Sequence, residues 1–274
     1  MHKKKFPLGK LAIYAALLIG AAVFLIPFLW MFIISIKPEG EVFGRALLPS
    51  SPTLASYQKL FETTNIVPWY VNSVEISVIT TILATILSIM GGYAFAKYQF
   101  RGKNVLFIII LASMMVPQFT TIIPVFNLMN KLGLVNSKLS LILPFSVNAT
   151  TVFLARQYLM GIPNELIDQA RIDGCNELQI FLRIIMPLSK PLVGSSAILI
   201  FLNTWNQYLW PLVMMQANEK FMLTVGLASL TTLYNIEYSL LSAGAVLFTL
   251  PVVIVFLLMQ RQFVSGLTAG AVKF

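Results

Sequence analysis

The segment ARIDGCNELQIFLRIIMP, residues 170–187, is a compact, charged and amphipathic stretch between two long apolar runs. Upstream, Pro163 favours the start of a short helix, and Gly174 favours its end in a left-handed turn. Asn176 is suited to cap a second helix that Pro187 closes. The second helix carries one apolar stripe at helical spacing, which we expect to be buried. The stripe consists of Leu178, Phe181, Leu182 and Ile185.

The first of the two short helices carries a polar surface instead. Its polar residues are Glu165, Asp168, Gln169, Arg171 and Asp173. Two interpretations of the segment remain open from the pattern alone. It is either an ordinary connector that rests its apolar stripe on its own helical bundle, or a docking surface for another protein.

The remaining sequence indicates the class of protein. Of the 274 residues, 58% are hydrophobic and 11% are charged, and the mean hydropathy is +0.83. A helix needs about 20 mostly apolar residues to cross a bilayer. Six such runs lie near 11–35, 71–96, 104–126, 139–160, 190–213 and 239–260. The sequence therefore predicts an all-α, polytopic membrane protein, one domain over 1–274, with the loop 161–189 between its fourth and fifth helices.

Cysteine and histidine usage restricts the chemistry. The single cysteine, Cys175, excludes an internal disulfide, and the only histidine, His2, lies in the basic leader. We therefore expect no metal site and no cofactor in this chain. The leader resembles the start of a signal peptide, but the apolar run behind it exceeds the usual 7 to 15 or so residues. We expect this run to be a retained helix.

The basic residues indicate an orientation. With the N-terminus inside, thirteen of the nineteen Lys and Arg residues and four of the ten carboxylates fall on inner segments. The inner side then carries the whole net charge of +9, and the outer side carries none. Because lysine and arginine favour cytoplasmic loops, both termini and the loop 161–189 are predicted to be cytoplasmic. The positive charge is interpreted as a topology determinant beside anionic lipid, with no nucleic-acid partner.

Several stretches resemble permease subunits of binding-protein-dependent ABC importers, specifically the carbohydrate branch of the maltose-permease type. The most specific is DQARIDGCNELQIFLRIIMPLSKP (168–191), which resembles the signature loop of that family. The others are FLWMFIISIKP (28–38), NSVEIS (72–77), GGYAFAKYQFRGK (91–103), LGLVNSKLSLILP (132–144), TWNQYLWPL (204–212) and GLTAGAVKF (266–274). The resemblance thus covers nearly the whole chain from the first helix.

The family pattern in the loop is Glu-Ala-Ala, two further residues, Asp-Gly, an apolar helix and Leu-Pro. The matching residues here are Asp168, Gln169, Ala170, Asp173, Gly174, Met186 and Pro187. Three of them depart from the pattern: Asp168 is shorter than glutamate, Gln169 is larger than alanine, and Met186 replaces leucine. The resemblance implies that the loop, including Phe181 in its apolar helix, couples the permease to an ATPase subunit.

The resemblance also implies a division of labour. The chain contains no G-x-x-x-x-G-K-[ST] stretch for cradling nucleotide phosphates. ATP and Mg²⁺ are therefore expected on a partner ATP-binding subunit dimer, and the chain itself is expected not to be an enzyme. The further expected partners are an extracytoplasmic solute-binding protein and a second, related permease subunit in a heterodimer. The complex would import a sugar or oligosaccharide by alternating access, across the cytoplasmic membrane of a bacterium or archaeon.

Three alternatives remain beside this interpretation. The first is an ion-coupled secondary transporter, which usually needs ionisable residues inside the membrane. No Asp, Glu, His, Lys or Arg lies near the middle of any apolar run, and Glu75 and Glu237 lie near outer ends. The second is an ABC importer permease for a non-sugar solute, and the third is a membrane scaffold that transports nothing.

Two further sets of residues are candidates for function. Asn203, Asn206, Gln207 and Trp210 recur at i, i+3, i+4 and i+7 in the fifth run. Their amides and indole suit a sugar path, but amides also hold neighbouring membrane helices together. The second set is the C-terminal tail Gly270, Ala271, Val272, Lys273 and Phe274. The resemblance implies that the tail contacts the ATPase dimer, whereas an ordinary frayed terminus is the alternative.

Overall fold

The computed structural model describes residues 8–231 and 236–271, and no strand occurs within these ranges. The helices are α1 Leu8–Ser35, α2 Ala55–Thr63, α3 Ile66–Lys97, α4 Lys103–Ser113, α5 Ile122–Lys131, α6 Lys138–Ile142, α7 Ala149–Met160, α8 Asn164–Ile172, α9 Glu177–Ile180, α10 Met186–Leu188, α11 Lys190–Trp205, α12 Leu209–Met214, α13 Leu223–Ser229 and α14 Tyr238–Ala271. A π-helical segment, Phe181–Ile185, joins α9 to α10. Short 3₁₀ turns cover Glu39–Glu41, Gln118–Thr121, Leu143–Phe145 and Asn218–Lys220.

Within the described residues, four helical segments are long and apolar enough to cross a membrane by themselves. They are Ile13–Ser35, Ile66–Lys97, Lys138–Met160 and Tyr238–Gln260. Two bent pairs, Lys103–Ser113 with Gln118–Lys131 and Glu177–Leu188 with Lys190–Trp205, raise the number to six if each pair is one span. The predicted class, an all-helical polytopic membrane protein, is confirmed. The six-span topology and the cytoplasmic termini stay predictions.

The predicted third run is not one straight helix. Its two parts meet at an angle of 100°. The break follows from Pro117, which has no N–H for the carbonyl four residues earlier, at Ser113, where α4 ends. The fifth run is also interrupted, because α11 ends at Trp205 and α12 begins at Leu209.

One compact unit comprises residues 1–66 and 227–250. Within it, the Glu39 carboxylate accepts hydrogen bonds from the backbone N–H groups of Tyr238 and Ser239, each at 3.0 Å. These bonds satisfy donors at the start of α14 that have no partner inside the helix. Lys59 and Glu237 form an ion pair of 2.6 Å beside the same helix start.

The second compact unit comprises residues 67–226 and 251–274. Gly92 of α3 lies so close to α7 that an added Cβ would stand 2.4 Å from the Cβ of Ala155. Glycine is therefore required for the contact between these helices. Around it, α3, α7, α8, α9 and α11 bury a shared apolar cluster that includes Ile89, Leu159 and Leu192. This cluster supports the 161–189 loop.

Candidate functional site: a helical loop and a polar cavity

The 161–189 loop forms the two short helices that its sequence predicts. Between them Gly174 has φ +82°, the left-handed conformation expected at this turn. Asn176 accepts a hydrogen bond from the Gln179 N–H at 2.8 Å, and the Gln179 side chain accepts one from the Asn176 N–H at 2.9 Å. This reciprocal capping box confirms Asn176 as the start of the second helix. The helix ends at Leu188, one residue beyond Pro187.

The predicted apolar stripe of the second helix is wrong for two of its four residues. Phe181 and Ile185 are buried, but Leu178 and Leu182 are 59% and 53% exposed. The reason is the π-helical segment, whose longer repeat places Ile180 and Ile185, five residues apart, on the same buried side. The loop therefore rests one apolar face on its own bundle and leaves Leu178 and Leu182 exposed to the other side.

The residues that carry the family resemblance in the loop divide into two groups. Ala170 and Phe181 belong to the buried cluster and hold the loop against the bundle. The exposed group consists of Asp168, Gln169, Asp173, Gly174 and Pro187. In the described part of the chain no hydrogen bond reaches the Asp173 carboxylate, and the cap of the second helix is Asn176, as predicted.

A charged network links the two loop helices to the residue that follows α3. The Arg171 guanidinium donates to Glu177 Oε1 at 2.9 Å and to Asp168 Oδ1 at 3.1 Å. The Tyr98 hydroxyl donates to the other Glu177 oxygen, Oε2. The bonds from Arg171 and then from Tyr98 hold the pKa of the Glu177 carboxyl below its usual range. Burial and the Glu177 bond raise the pKa of Tyr98, so the phenol keeps the proton that it donates.

A cavity of about 660 Å³ lies near the break between α11 and α12. Its volume falls in the range of small-molecule sites, about 300–1,000 Å³. The lining residues are Gln118, Phe119, Thr121, Ile122, Val125, Pro144, Phe145, Leu202, Asn203, Asn206, Gln207, Tyr208, Leu209 and Trp210. None of these described lining residues carries a charged side chain. All four residues predicted for the solute path thus line one cavity.

The four residues do not share one continuous helix, because α11 ends at Trp205 and α12 begins at Leu209. The prediction of one helical repeat across residues 203–210 is therefore wrong. The break has a physical cause in Pro211, which cannot donate to the carbonyl of Gln207. That carbonyl instead accepts a hydrogen bond of 2.6 Å from the Thr224 hydroxyl. Asn206 follows the last turn of α11, and its side-chain amide donates to the Leu202 carbonyl at 2.7 Å.

Trp210 differs from the three amides because it is only 5% exposed. Its indole N–H donates to the carbonyl of Ser140 at 3.0 Å. That carbonyl is free because Pro144, four residues later, has no N–H. The geometry at Trp210 therefore corresponds to the helix-packing alternative, whereas Asn203 and Asn206 are exposed.

Several lining residues are absent from the sequence-based prediction. Phe119 is 75% exposed and Tyr208 is 45% exposed, so these rings present more surface than Trp210 does. Gln118 and Thr121 add an amide and a hydroxyl beside Phe119. The sequence signal for this group is Pro117, since proline-interrupted apolar segments mark binding sites in transporters with broken helices.

The predicted tail is described only in part. Gly270 and Ala271 lie in α14, which continues to Ala271 and beyond the predicted end near 260. Proline is absent from 252–271, so no residue of that type interrupts the helix. Val272, Lys273 and Phe274 lie outside the described residues.

The fold and the cavity define a class: a polytopic helical membrane protein with broken helices around a polar cavity, as in transport proteins. Residues 84–268 match the family described as "Binding-protein-dependent transport system inner membrane component". This match covers more than half of the chain. The chain belongs to this family and is the permease component of a binding-protein-dependent ABC importer.

Similar proteins agree along nearly the full length. The chain is 39% identical to the arabinooligosaccharides transport system permease protein AraQ of Bacillus subtilis, covering 99% of each chain. It is 34% identical to the lactose transport system permease protein LacG of Rhizobium radiobacter, covering 95% of each. A chain in the crystal structure of a bacterial ABC transporter that imports the acidic polysaccharide alginate matches with a TM-score of 0.84 and 27% identity, covering 96% of this chain and 99% of that one.

Proposed function

We propose that this chain imports a neutral sugar or oligosaccharide through the cavity beside the α11–α12 break. The observation that carries the proposal is the lining itself, which combines the amides of Gln118, Asn203 and Gln207 with the exposed rings of Phe119 and Tyr208. Amides exchange hydrogen bonds with sugar hydroxyls, and aromatic rings stack on the apolar faces of pyranoses. The named substrates of the similar permeases, arabinooligosaccharides and lactose, are of this kind.

The absence of charge in the cavity supports a neutral solute. An acidic sugar leaving water would need a cationic partner in the cavity, because an unpaired charge is costly to desolvate. The described lining contains no lysine, arginine or histidine. We therefore infer that this permease differs in solute charge from the alginate transporter whose fold it shares.

The 161–189 loop is the proposed contact with the ATPase. Its exposed side carries Asp168, Gln169, Leu178 and Leu182, and its other side is fixed to the bundle. Closure of the ATP-binding subunit dimer, which holds ATP and Mg²⁺, would push on this surface and alternate access to the cavity. The tail from Gly270 onward is a second proposed contact with that dimer.

The remaining assembly follows from the same proposal. A second, related permease completes the transport path as a heterodimer, and an extracytoplasmic binding protein delivers the solute. The chain lies in the cytoplasmic membrane of a bacterium or archaeon with both termini and the loop inside. Ion coupling usually needs ionisable groups inside the membrane. Glu75 and Glu237 instead lie near span ends and form ion pairs, with Lys138 at 2.5 Å and with Lys59 at 2.6 Å. These pairs support ATP coupling over ion coupling.

The test uses the complete importer in proteoliposomes. Asn203→Ala and Gln207→Ala each remove a hydrogen-bonding side chain, which contributes about 0.5–1.5 kcal/mol, or roughly two- to tenfold in apparent solute affinity. We expect weaker solute dependence of uptake with normal assembly. Trp210→Phe is the matched contrast, since it removes the bond to Ser140 and should lower assembly while uptake per assembled complex stays normal.

Two results would contradict the proposal. Unchanged solute dependence in both amide variants would mean that the cavity does not contact the solute. Faster uptake of uronic-acid oligosaccharides than of neutral ones, measured with the matching binding protein, would contradict neutral selectivity.

A further inference from the structure

The end of α3 contacts the 161–189 loop at two separate points. Lys97, the last residue of α3, donates to the carbonyl of Ile162 and to Asn164 Oδ1, the latter at 2.9 Å. Tyr98, the next residue, donates to Glu177 at the start of the second loop helix. The first contact is at the start of the loop, at Ile162 and Asn164. The second is at Glu177, thirteen residues after Asn164.

Tyr98 is itself fixed to α3. Its backbone N–H donates to the Ala94 carbonyl at 3.2 Å, so the helical hydrogen-bond pattern extends to Tyr98. Its ring packs edge-to-face on Tyr93, with 5.4 Å between centroids, and the Arg171 guanidinium lies 5.9 Å from the ring centroid. Arg171, from the first loop helix, and Tyr98, from the end of α3, thus each hold one oxygen of the Glu177 carboxylate.

Two contacts constrain the loop in a way that one cannot. A single hydrogen bond lets the loop rotate about that bond, whereas two bonds at separated points leave only rotation about the line that joins them. The packing of Phe181 on Tyr93 of α3, with 5.9 Å between ring centroids, opposes that remaining rotation. Both contacts come from adjacent residues at one helix end, so a movement of the loop must move that end of α3.

The opposite end of α3 holds a segment next to the cavity. Trp69 donates to the carbonyl of Asn218 at 2.7 Å, and Asn72 donates to the carbonyl of Glu219 at 2.9 Å. The Ser73 hydroxyl accepts the N–H of Leu223 at 2.7 Å. Residues 218–223 follow α12 in the chain, and α12 contributes Leu209 and Trp210 to the cavity wall.

We propose that α3 transmits movement of the 161–189 loop to the segment 218–223 beside the cavity, and that Lys97 and Tyr98 are the positioning residues that attach the loop to it. This inference rests on the proposed contact between the loop and the ATPase. With 32 residues, α3 is about 48 Å long, enough to join the two sides of a membrane. Neither Lys97 nor Tyr98 lies in the signature stretch 168–191, and both act through the loop.

The contribution of these contacts to stability should be small. The bonds from Tyr98 to Glu177 and from Lys97 to Asn164 are both exposed, and contacts open to water stabilise a fold only weakly. Removing one hydroxyl or one ammonium group should therefore leave the chain folded and its loop surface intact. A loss of coupling can then be measured separately from a loss of structure.

The experiment compares Tyr98→Phe, Lys97→Met and the double variant in the complete, reconstituted importer. Tyr98→Phe keeps the ring, and Lys97→Met keeps an apolar stem of similar length. Tyr57→Phe is the matched control, because it removes a hydroxyl that is bonded to Ser35 at 2.9 Å and has no hydrogen bond to the loop in the described residues. The readouts are recovery of the ATPase subunit, ATP hydrolysis stimulated by the solute-loaded binding protein, and solute taken up per ATP.

We expect normal ATPase recovery in every variant and uptake per ATP lowered about fivefold or more in the double variant, the lower range of coupling between distant sites. Normal uptake per ATP in the double variant would overturn the inference. So would an equal loss of ATPase recovery and uptake, which a merely structural role predicts. Gly174→Val separates the two proposals: if it abolishes ATPase recovery while the double variant stays coupled, only the role of α3 is wrong.

Discussion

Single residues explain how backbone carbonyls at the helix breaks of this chain keep hydrogen-bond partners in an apolar environment. Pro144 and Pro211 each remove an N–H, and the carbonyls that they release, on Ser140 and Gln207, accept bonds from side chains of other segments. The prolines are visible in the sequence, so the interruptions are predictable. The partners Trp210 and Thr224 are not, because they depend on which segments meet in space.

Gly174 gives the sharpest prediction at the residue scale. Its φ is +82°, and an added Cβ would meet no atom within 4 Å. A substitution there meets no steric clash at Cβ, and its cost comes from the left-handed backbone conformation. For a β-branched residue that conformation costs about 1–2 kcal/mol. We expect Gly174→Val to misorient the loop helices and lower recovery of the ATPase subunit with the purified permease. Gly174→Asn is the matched control and should retain recovery, since asparagine tolerates the left-handed region.

Equal recovery of the ATPase subunit with the valine and asparagine variants would contradict this prediction. Recovery would then not depend on the conformation of the turn, and the proposed contact between the loop and the ATPase would lose its support at Gly174. Insertion into the membrane and pairing with the second permease should be normal in both variants, because position 174 is exposed and an added Cβ there would meet no atom within 4 Å.

At the scale of elements, helical periodicity predicted that the second loop helix has an apolar face but not which face is buried. The sequence offers apolar residues at several spacings, and a regular α-helix selects Leu178 with Leu182. The structure selects Ile180 with Ile185, because the π-helical segment changes the repeat and the cluster on α3 and α7 packs there. Tertiary packing thus decides between two apolar stripes of similar quality.

The exposed stripe supplies a prediction for the same element. Leu178→Ser combined with Leu182→Ser changes side chains that are more than half exposed, so the thermal stability of the isolated permease should change little. ATPase recovery should fall, because apolar area on the docking surface is lost. Ile185→Ser is the buried counterpart, and we expect it to lower permease stability first. Normal ATPase recovery with the double leucine variant would mean that this side of the helix is not the contact surface.

At the scale of the whole molecule, composition and run lengths were sufficient for the all-helical membrane class. The predicted run 71–96 differs from α3 by about five residues at its start and one at its end. The predicted run 239–260 begins one residue after the start of α14. Bends of 100° and 84° were not predictable in size, since a proline fixes where a helix breaks but not the direction of the next segment. The cavity depends on the 100° bend, after which Gln118 and Phe119 line its wall, and on the α11–α12 break. The single-domain description of residues 1–274 stays a prediction.

Charge distribution carries the last prediction, the orientation of the chain. Thirteen of the nineteen basic residues lie on segments that share one side if six spans alternate, and cytoplasmic loops favour such residues. Replacing Cys175 by serine gives a cysteine-free background, because it is the single cysteine. In that background a cysteine at Asp173 should react with a membrane-impermeant thiol reagent only in inverted vesicles, and one at Lys138 only in intact cells.

The two positions make the labelling decisive. Asp173 is exposed on the loop, and the Lys138 side chain is 38% exposed, so each replacement should be accessible in its own compartment. Labelling of both positions from the same side would require an even number of crossings between them, which contradicts the single span Lys138–Met160. Labelling of both with sides exchanged would keep the helices but reverse the orientation. The loop would then face away from any cytoplasmic ATPase, and its role as the coupling contact would fail with it.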